Sequence, residues 1–79
     1  MNKLNIGSGR EPKWKEGFDG VDIKDYGQKY VFNIEEEWPI ESDSIDEIFS
    51  SHCLEHIRKI NFVMKEIYRV LKKDGSVNI

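Results

Sequence analysis

Two stretches of this chain bring together residue types that can do chemistry. The first is Leu4-Asn5-Ile6-Gly7-Ser8-Gly9, answered downstream by Val21-Asp22-Ile23. Glycines at the end of a strand let backbone approach a ligand closely, and a carboxylate at the tip of the next strand can accept both hydrogen bonds of a ribose diol. Glycines serve ordinary turns in the same way, wherever positive φ is needed. Asp22, 13 residues after Gly9 and at the end of a matching strand, tilts the pattern toward a nucleoside without naming which one. The second stretch is His52-Cys53-Leu54-Glu55-His56. Two histidines at i and i+4 share a helix face and could hold zinc. Here the glutamate precedes the second histidine instead of following the first, and no third ligand is evident. Cys53 beside His52 makes a poor nucleophile pair, because adjacent side chains diverge and no acid orients the imidazole. The plainer role is structural, with Glu55 and His56 opening the following helix.

The elements that would hold these residues follow from apolar spacing. Lys3-Leu4-Asn5-Ile6, Gly20-Val21-Asp22-Ile23, Tyr30-Val31-Phe32-Asn33-Ile34 and Ile45-Asp46-Glu47-Ile48-Phe49-Ser50 read as four short strands, and Ser76-Val77-Asn78-Ile79 starts a fifth. Ile60, Val63, Met64, Ile67, Val70 and Leu71 recur at intervals of three and four, which predicts one helix running to about Lys73. Asp74-Gly75 would stop it, and Lys72 and Lys73 would complement the negative end of its dipole. Strands with a helix before the last give an α/β sheet, mainly parallel, of four to five strands. The interval from Gly9 to Gly20 contains Pro12 and Gly17, which argues against a full crossover helix there. Trp14, Phe18, Trp38 and Tyr68 are expected in the core, although each could also stack on a ligand ring.

Composition bounds the functions available. The chain has 79 residues, with 12 Lys+Arg against 15 Asp+Glu, 38% hydrophobic and 11% aromatic residues. That fits one small folded domain, residues 1–79, and argues against disorder. A net charge of −3 does not suggest nucleic acid or anionic membrane as partner. Acids cluster from Glu35 to Glu47 and bases from Arg58 to Lys73, which reads as a solvated acidic loop beside a helix with a basic outer face. A lone cysteine, no signal-like start and no apolar run of membrane length predict a soluble, cytoplasmic chain.

Further motifs carry a resemblance. The run from Trp38-Pro39 through an acidic loop to Ile45-Asp46-Glu47-Ile48-Phe49-Ser50, then His52-Cys53-Leu54-Glu55-His56, resembles the middle motifs of class I S-adenosylmethionine-dependent methyltransferases of the type 11 group. Glu66-Ile67-Tyr68-Arg69-Val70-Leu71-Lys72-Lys73-Asp74-Gly75 resembles a later segment of the same family, and the glycine motif and Asp22 fall in its order.

The resemblance implies a partial Rossmann-like fold lacking the C-terminal strands, S-adenosyl-L-methionine as cofactor, and methyl transfer to an unknown acceptor. Gly7 and Gly9, with Asn5 and Ser8, would lie against the methionine part. Asp22 would bind the ribose, Ile23 would pack on adenine, and Asn33 and Ile34 would stand near the adenine edge, with asparagine where the family usually has aspartate. Ser51 and His52 would border the cofactor and open toward the acceptor, and His52 is the candidate base. The alternatives are a non-catalytic cofactor-binding or partner-binding module, or an inactive truncated fragment. An open sheet edge at the fifth strand would suit a homo-oligomer or a partner chain.

Overall fold

The computed structural model describes residues 2–8, 17–50 and 57–78. Five strands, β1 (Lys3–Ile6), β2 (Asp19–Asp22), β3 (Tyr30–Val31), β4 (Ile45–Ser50) and β5 (Leu71–Asn78), form one sheet, and helix α1 (Ile60–Val70) precedes β5. The sheet order is β3-β2-β1-β4-β5 and every neighbouring pair is parallel. The order reverses at β1, whose neighbours β2 and β4 lie on opposite sides. In open parallel sheets the crevice beyond the carboxyl ends at such a point is where ligands bind. Among the described residues, no helix is long and apolar enough to cross a membrane.

Leu4, Ile6, Val21 and Ile48 supply the centre of the sheet, and Val63, Ile67 and Val70 lay one stripe of α1 against it, all essentially inaccessible to solvent. Trp38 is buried in the same cluster and Phe18 is half-buried against Phe49, while Trp14 lies outside the described residues. Tyr68 departs from expectation: it is 64% exposed. One residue past Ile67 is about 100° round the helix, which carries the ring off the buried stripe.

The helix is also shorter than its apolar spacing predicts. Residues 57–59 are not helical, so α1 opens at Ile60 and not around Glu55 and His56, which lie outside the described residues. It ends at Val70, because Leu71 takes an extended conformation (φ −69°, ψ 137°) and pairs with Ile45 of β4. The last carbonyls are met by the loop before β4: Asp43 N–H donates to Arg69 O and Ser44 N–H to Val70 O, each at 2.9 Å. Asp74-Gly75 therefore does not cap the helix. Between the pairs Ile45–Leu71 and Glu47–Ser76, β5 bulges outward, and a Cβ at Gly75 would sit 3.0 Å from Lys72 O and 3.1 Å from Ile45 O. Glycine is needed there for close passage of backbone. Lys72 reaches Asp46 at 3.2 Å instead of the helix dipole.

Two further expectations need correction. The third strand stops at Val31: Phe32 N–H still donates to Asp22 O at 3.0 Å, but the turn from Asn33 to Glu36 then takes the chain away. The acidic segment is only partly solvated. Glu35 accepts N–H bonds from Arg58 (3.1 Å) and Lys59 (2.9 Å), supplying the anion that the first turn of α1 lacks in its own sequence.

Candidate functional site

A cleft of about 230 Å³ opens at the carboxyl ends of β1, β2 and β3. Its floor is backbone at Gly7 and Val21, its apolar wall is Ile23, Phe32, Ile34 and Ile57, and its polar groups are Asp22, Asn33 and Glu35. Five residues singled out from sequence, Gly7, Asp22, Ile23, Asn33 and Ile34, thus share one cavity although they come from three separate segments.

Local sequence explains each position. Gly7 turns the chain at the end of β1 with φ 71°, a conformation costly for other residues. The turn is held by Gly7 N–H (2.8 Å) and Ser8 N–H (3.1 Å), both donating to Val21 O. Those two amides are thereby engaged with β2, so what Gly7 offers a ligand is the absence of a side chain. Asp22 ends β2, and its Oδ1 accepts the Lys24 N–H at 3.2 Å, a local turn that fixes the carboxylate at the strand tip. Ile23 follows it and is 61% exposed, an isoleucine left for something to cover. Asn33 builds a similar turn, with Oδ1 accepting the Glu35 N–H at 2.9 Å.

Asn5 and Ser8 do not line the cleft. Asn5 is buried within β1, paired with Gly20 and Phe49. Among the described residues, Ser8 Oγ is buried without a hydrogen-bond partner, as is Ser50 Oγ at the end of β4. Ser8 packs against Gly20, where an added Cβ would come within 2.7 Å of its Oγ. Gly9, Ser51 and His52 lie outside the described residues, as do Cys53, Glu55 and His56.

Several supporting residues carry no functional signature in sequence. Phe32 meets Tyr30 edge-on at 6.2 Å between ring centroids and leans on Trp38 at 5.7 Å. Trp38 also donates from Nε1 to Ile34 O at 2.8 Å, so one buried indole ties two of the four apolar positions of the wall, Phe32 and Ile34, to the core. Trp38 is itself held by Glu66, which accepts its N–H at 2.9 Å, and by Arg69, which reaches its carbonyl at 3.2 Å and Glu66 Oε2 at 2.8 Å. The Arg69 hydrogen bond holds the Glu66 carboxyl below its ordinary range, assisted by the Trp38 N–H and opposed by burial. Gln28, also buried, accepts from Tyr26 N–H and donates to Lys24 O and Tyr30 O, which fastens the loop between β2 and β3. A polar residue in a loop gives no hint of this from sequence, because the bonds it makes depend on how the loop closes.

An apolar slot with a carboxylate at the tip of β2 and glycine beneath is suited to a nucleoside. The sheet order, with a helix before the last strand, defines a partial Rossmann-like fold. The chain belongs to the methyltransferase domain family, whose model matches residues 6–79. A crystal structure from Methanococcus maripaludis, described as a candidate S-adenosyl-L-methionine-dependent methyltransferase, shares the fold with a TM-score of 0.75 and 20% sequence identity. The match covers 96% of this chain and 46% of that one, so this chain spans less than half of its structural neighbour. No curated protein matches.

Proposed function

We propose that the cleft binds the adenosine part of S-adenosyl-L-methionine, the cofactor of this family, for methyl transfer to an acceptor that these residues do not specify. The observation that carries the reading is the convergence of Asp22, Asn33, Ile34 and Gly7 on one cavity at the carboxyl ends of β1, β2 and β3. The residues fit the group: Asp22 supplies an acceptor carboxylate for a ribose diol, Ile23 and Ile34 supply apolar surface for a flat base, and Gly7 leaves the floor clear. When bound, the cofactor supplies an activated methyl group on sulfonium. The task of this chain is then to hold the nucleoside in a fixed pose and keep water from it, since positioning accounts for much of the rate in such a displacement. His52 is proposed as the group that takes a proton from the acceptor where one must leave. A partner or second copy along β5, the edge strand of the sheet, is proposed as the remaining contributor to the acceptor site.

Calorimetric titration with S-adenosyl-L-homocysteine tests the binding step. Asp22→Ala should weaken affinity about tenfold or more, as expected for losing hydrogen bonds to a charged acceptor. Folded protein that gives no heat, or unchanged affinity in Asp22→Ala, would overturn the reading. Formation of S-adenosylhomocysteine from S-adenosylmethionine across an acceptor library separates an enzyme from a binding module.

A further inference from the structure

One side chain joins two separate parts of the cleft lining, and what that junction does rests on the nucleoside reading above. Glu35 lines the cleft in the turn that Asn33 opens, where its N–H donates to Asn33 Oδ1 at 2.9 Å. Its carboxylate reaches the start of α1, where Oε2 accepts the N–H of Arg58 at 3.1 Å and of Lys59 at 2.9 Å. Ile57, one peptide before Arg58, is half-buried and lines the same cleft. Capping the helix does not by itself require this arrangement. The usual cap is a Ser, Thr, Asp or Asn at the helix's own first position. Here Lys59 stands at that position with no side-chain cap bond, and the first turn of α1 holds no acid. The acid comes from the cleft instead, 23 and 24 positions away in the chain, so the bonds that complete the helix also fasten Ile57 into the wall. Both are bonds from N–H to a carboxylate, which are stronger than their neutral counterparts.

We propose that Glu35 is a positioning residue, which keeps Ile57 in the cleft wall by holding the Arg58 and Lys59 N–H groups, and so couples ligand binding to the start of α1. Glu35 acts on the ligand through Ile57. Where the latch opens, Ile57 leaves the wall and the nucleoside loses part of its apolar surface. The affinity measured is then the intrinsic one reduced by the fraction of molecules that are latched. Such coupling is reciprocal: a ligand that prefers the latched form stabilises the latch by the same factor.

Titrated with S-adenosyl-L-homocysteine, Glu35→Ala should bind about tenfold more weakly than the wild type, the loss expected when the latched form falls to a tenth of the population. A direct contact between Glu35 and the ligand would give the same loss, and Ile57→Ala separates the two. With Ile57 already truncated, adding Glu35→Ala should cost little more, whereas independent roles multiply. The second measurement uses wild-type protein alone. Saturation with S-adenosyl-L-homocysteine should slow hydrogen exchange at the Arg58 and Lys59 amides about tenfold as well. The Asp43 and Ser44 amides, which meet the carbonyls at the far end of α1, should change little. Unchanged affinity in Glu35→Ala, losses that multiply in the double variant, or exchange at Arg58 and Lys59 that slows no more than at Asp43 and Ser44, would overturn the proposal. The exchange measurement decides the matter even where a variant folds poorly. If Asp22→Ala weakens binding and Glu35→Ala does not, this inference alone fails. If the wild type binds no S-adenosyl-L-homocysteine, the nucleoside reading falls with it.

Discussion

The two flanks of this sheet are held together by different interactions. Among the described residues, eight of the eleven buried apolar side chains lie from Trp38 to Leu71, against one on β2 and none on β3. The β2–β3 flank is fixed instead by side chains bonded to nearby backbone: Asp22 to Lys24, Asp25 to Gly27, Gln28 to three neighbouring residues, Asn33 to Glu35. The cleft sits on that second flank. Polar turns can present a carboxylate and an amide to a ligand while satisfying their own backbone, which a close-packed apolar surface cannot do. Their stability is local and modest, so the ligand wall is drawn from the less protected part of the molecule. Trp38 joins the two, since it is buried in the core and bonds the backbone of Ile34 in the wall.

The sharpest test of this division is Ile67→Ala. Ile67 is fully buried on α1, and truncating such a residue costs about 2–5 kcal/mol through lost transfer energy and a cavity. A chain this small has a total stability on the order of 5–10 kcal/mol. Chemical denaturation should therefore show a midpoint shifted far down or lost altogether. A cost below that of polar substitutions around the cleft would reverse the comparison.

Glu66→Gln should come next. It removes the charge that Arg69 and the Trp38 N–H share, at a cost of about 2 kcal/mol. It also carries a pH signature. The Glu66 carboxyl is held below its ordinary value of 4.5 in the folded chain, chiefly by the Arg69 hydrogen bond. Its contribution is therefore fully present above that value and is lost as pH falls through the lowered one. Stability measured from pH 6 downward should decline more gently in Glu66→Gln than in the wild type, within that acid window. Parallel declines would remove Glu66 from the account.

Gln28→Ala follows, at about 1–2 kcal/mol for the bonds that it leaves unmet in the β2–β3 loop. Because that loop begins beside Asp22 and Ile23, its larger expression should be in ligand affinity. A loss of affinity for S-adenosyl-L-homocysteine larger in free energy than the accompanying drop in stability would support the division, and the opposite split would count against it.

How much of this was legible in the sequence follows the same division. The α1 stripe and β1, β2 and β4 were readable because apolar spacing records what faces the core. Gly7 and Asp22 were readable as strand-end residues, and Ile23, Asn33 and Ile34 only through the family resemblance; the fold brings all five to one cleft. The end of the helix was not readable. Asp74-Gly75 has the chemistry of a stop, but Leu71 was claimed first by its pairing with Ile45, a contact 26 positions away in the chain. Gln28, Glu35 and Glu66 were equally hidden, because each acts through bonds to backbone that only the folded chain brings near. Glu66 reaches Trp38 across 28 positions.

The smallest expected effect tests the packed flank from its outer side. Tyr68 belongs by type to a core, and an aromatic truncated in a core would cost about 3–5 kcal/mol. In this fold the ring is 64% exposed and stands off the Val63, Ile67 and Val70 stripe. Tyr68→Ala therefore removes little buried surface and replaces a weaker helix former with the best one, so the net change should stay within about 0.5 kcal/mol. Denaturation of the two proteins side by side reads that difference directly. A loss above about 2 kcal/mol would mean that this face of α1 is covered, and that the packed flank extends beyond the stripe on which the comparison depends.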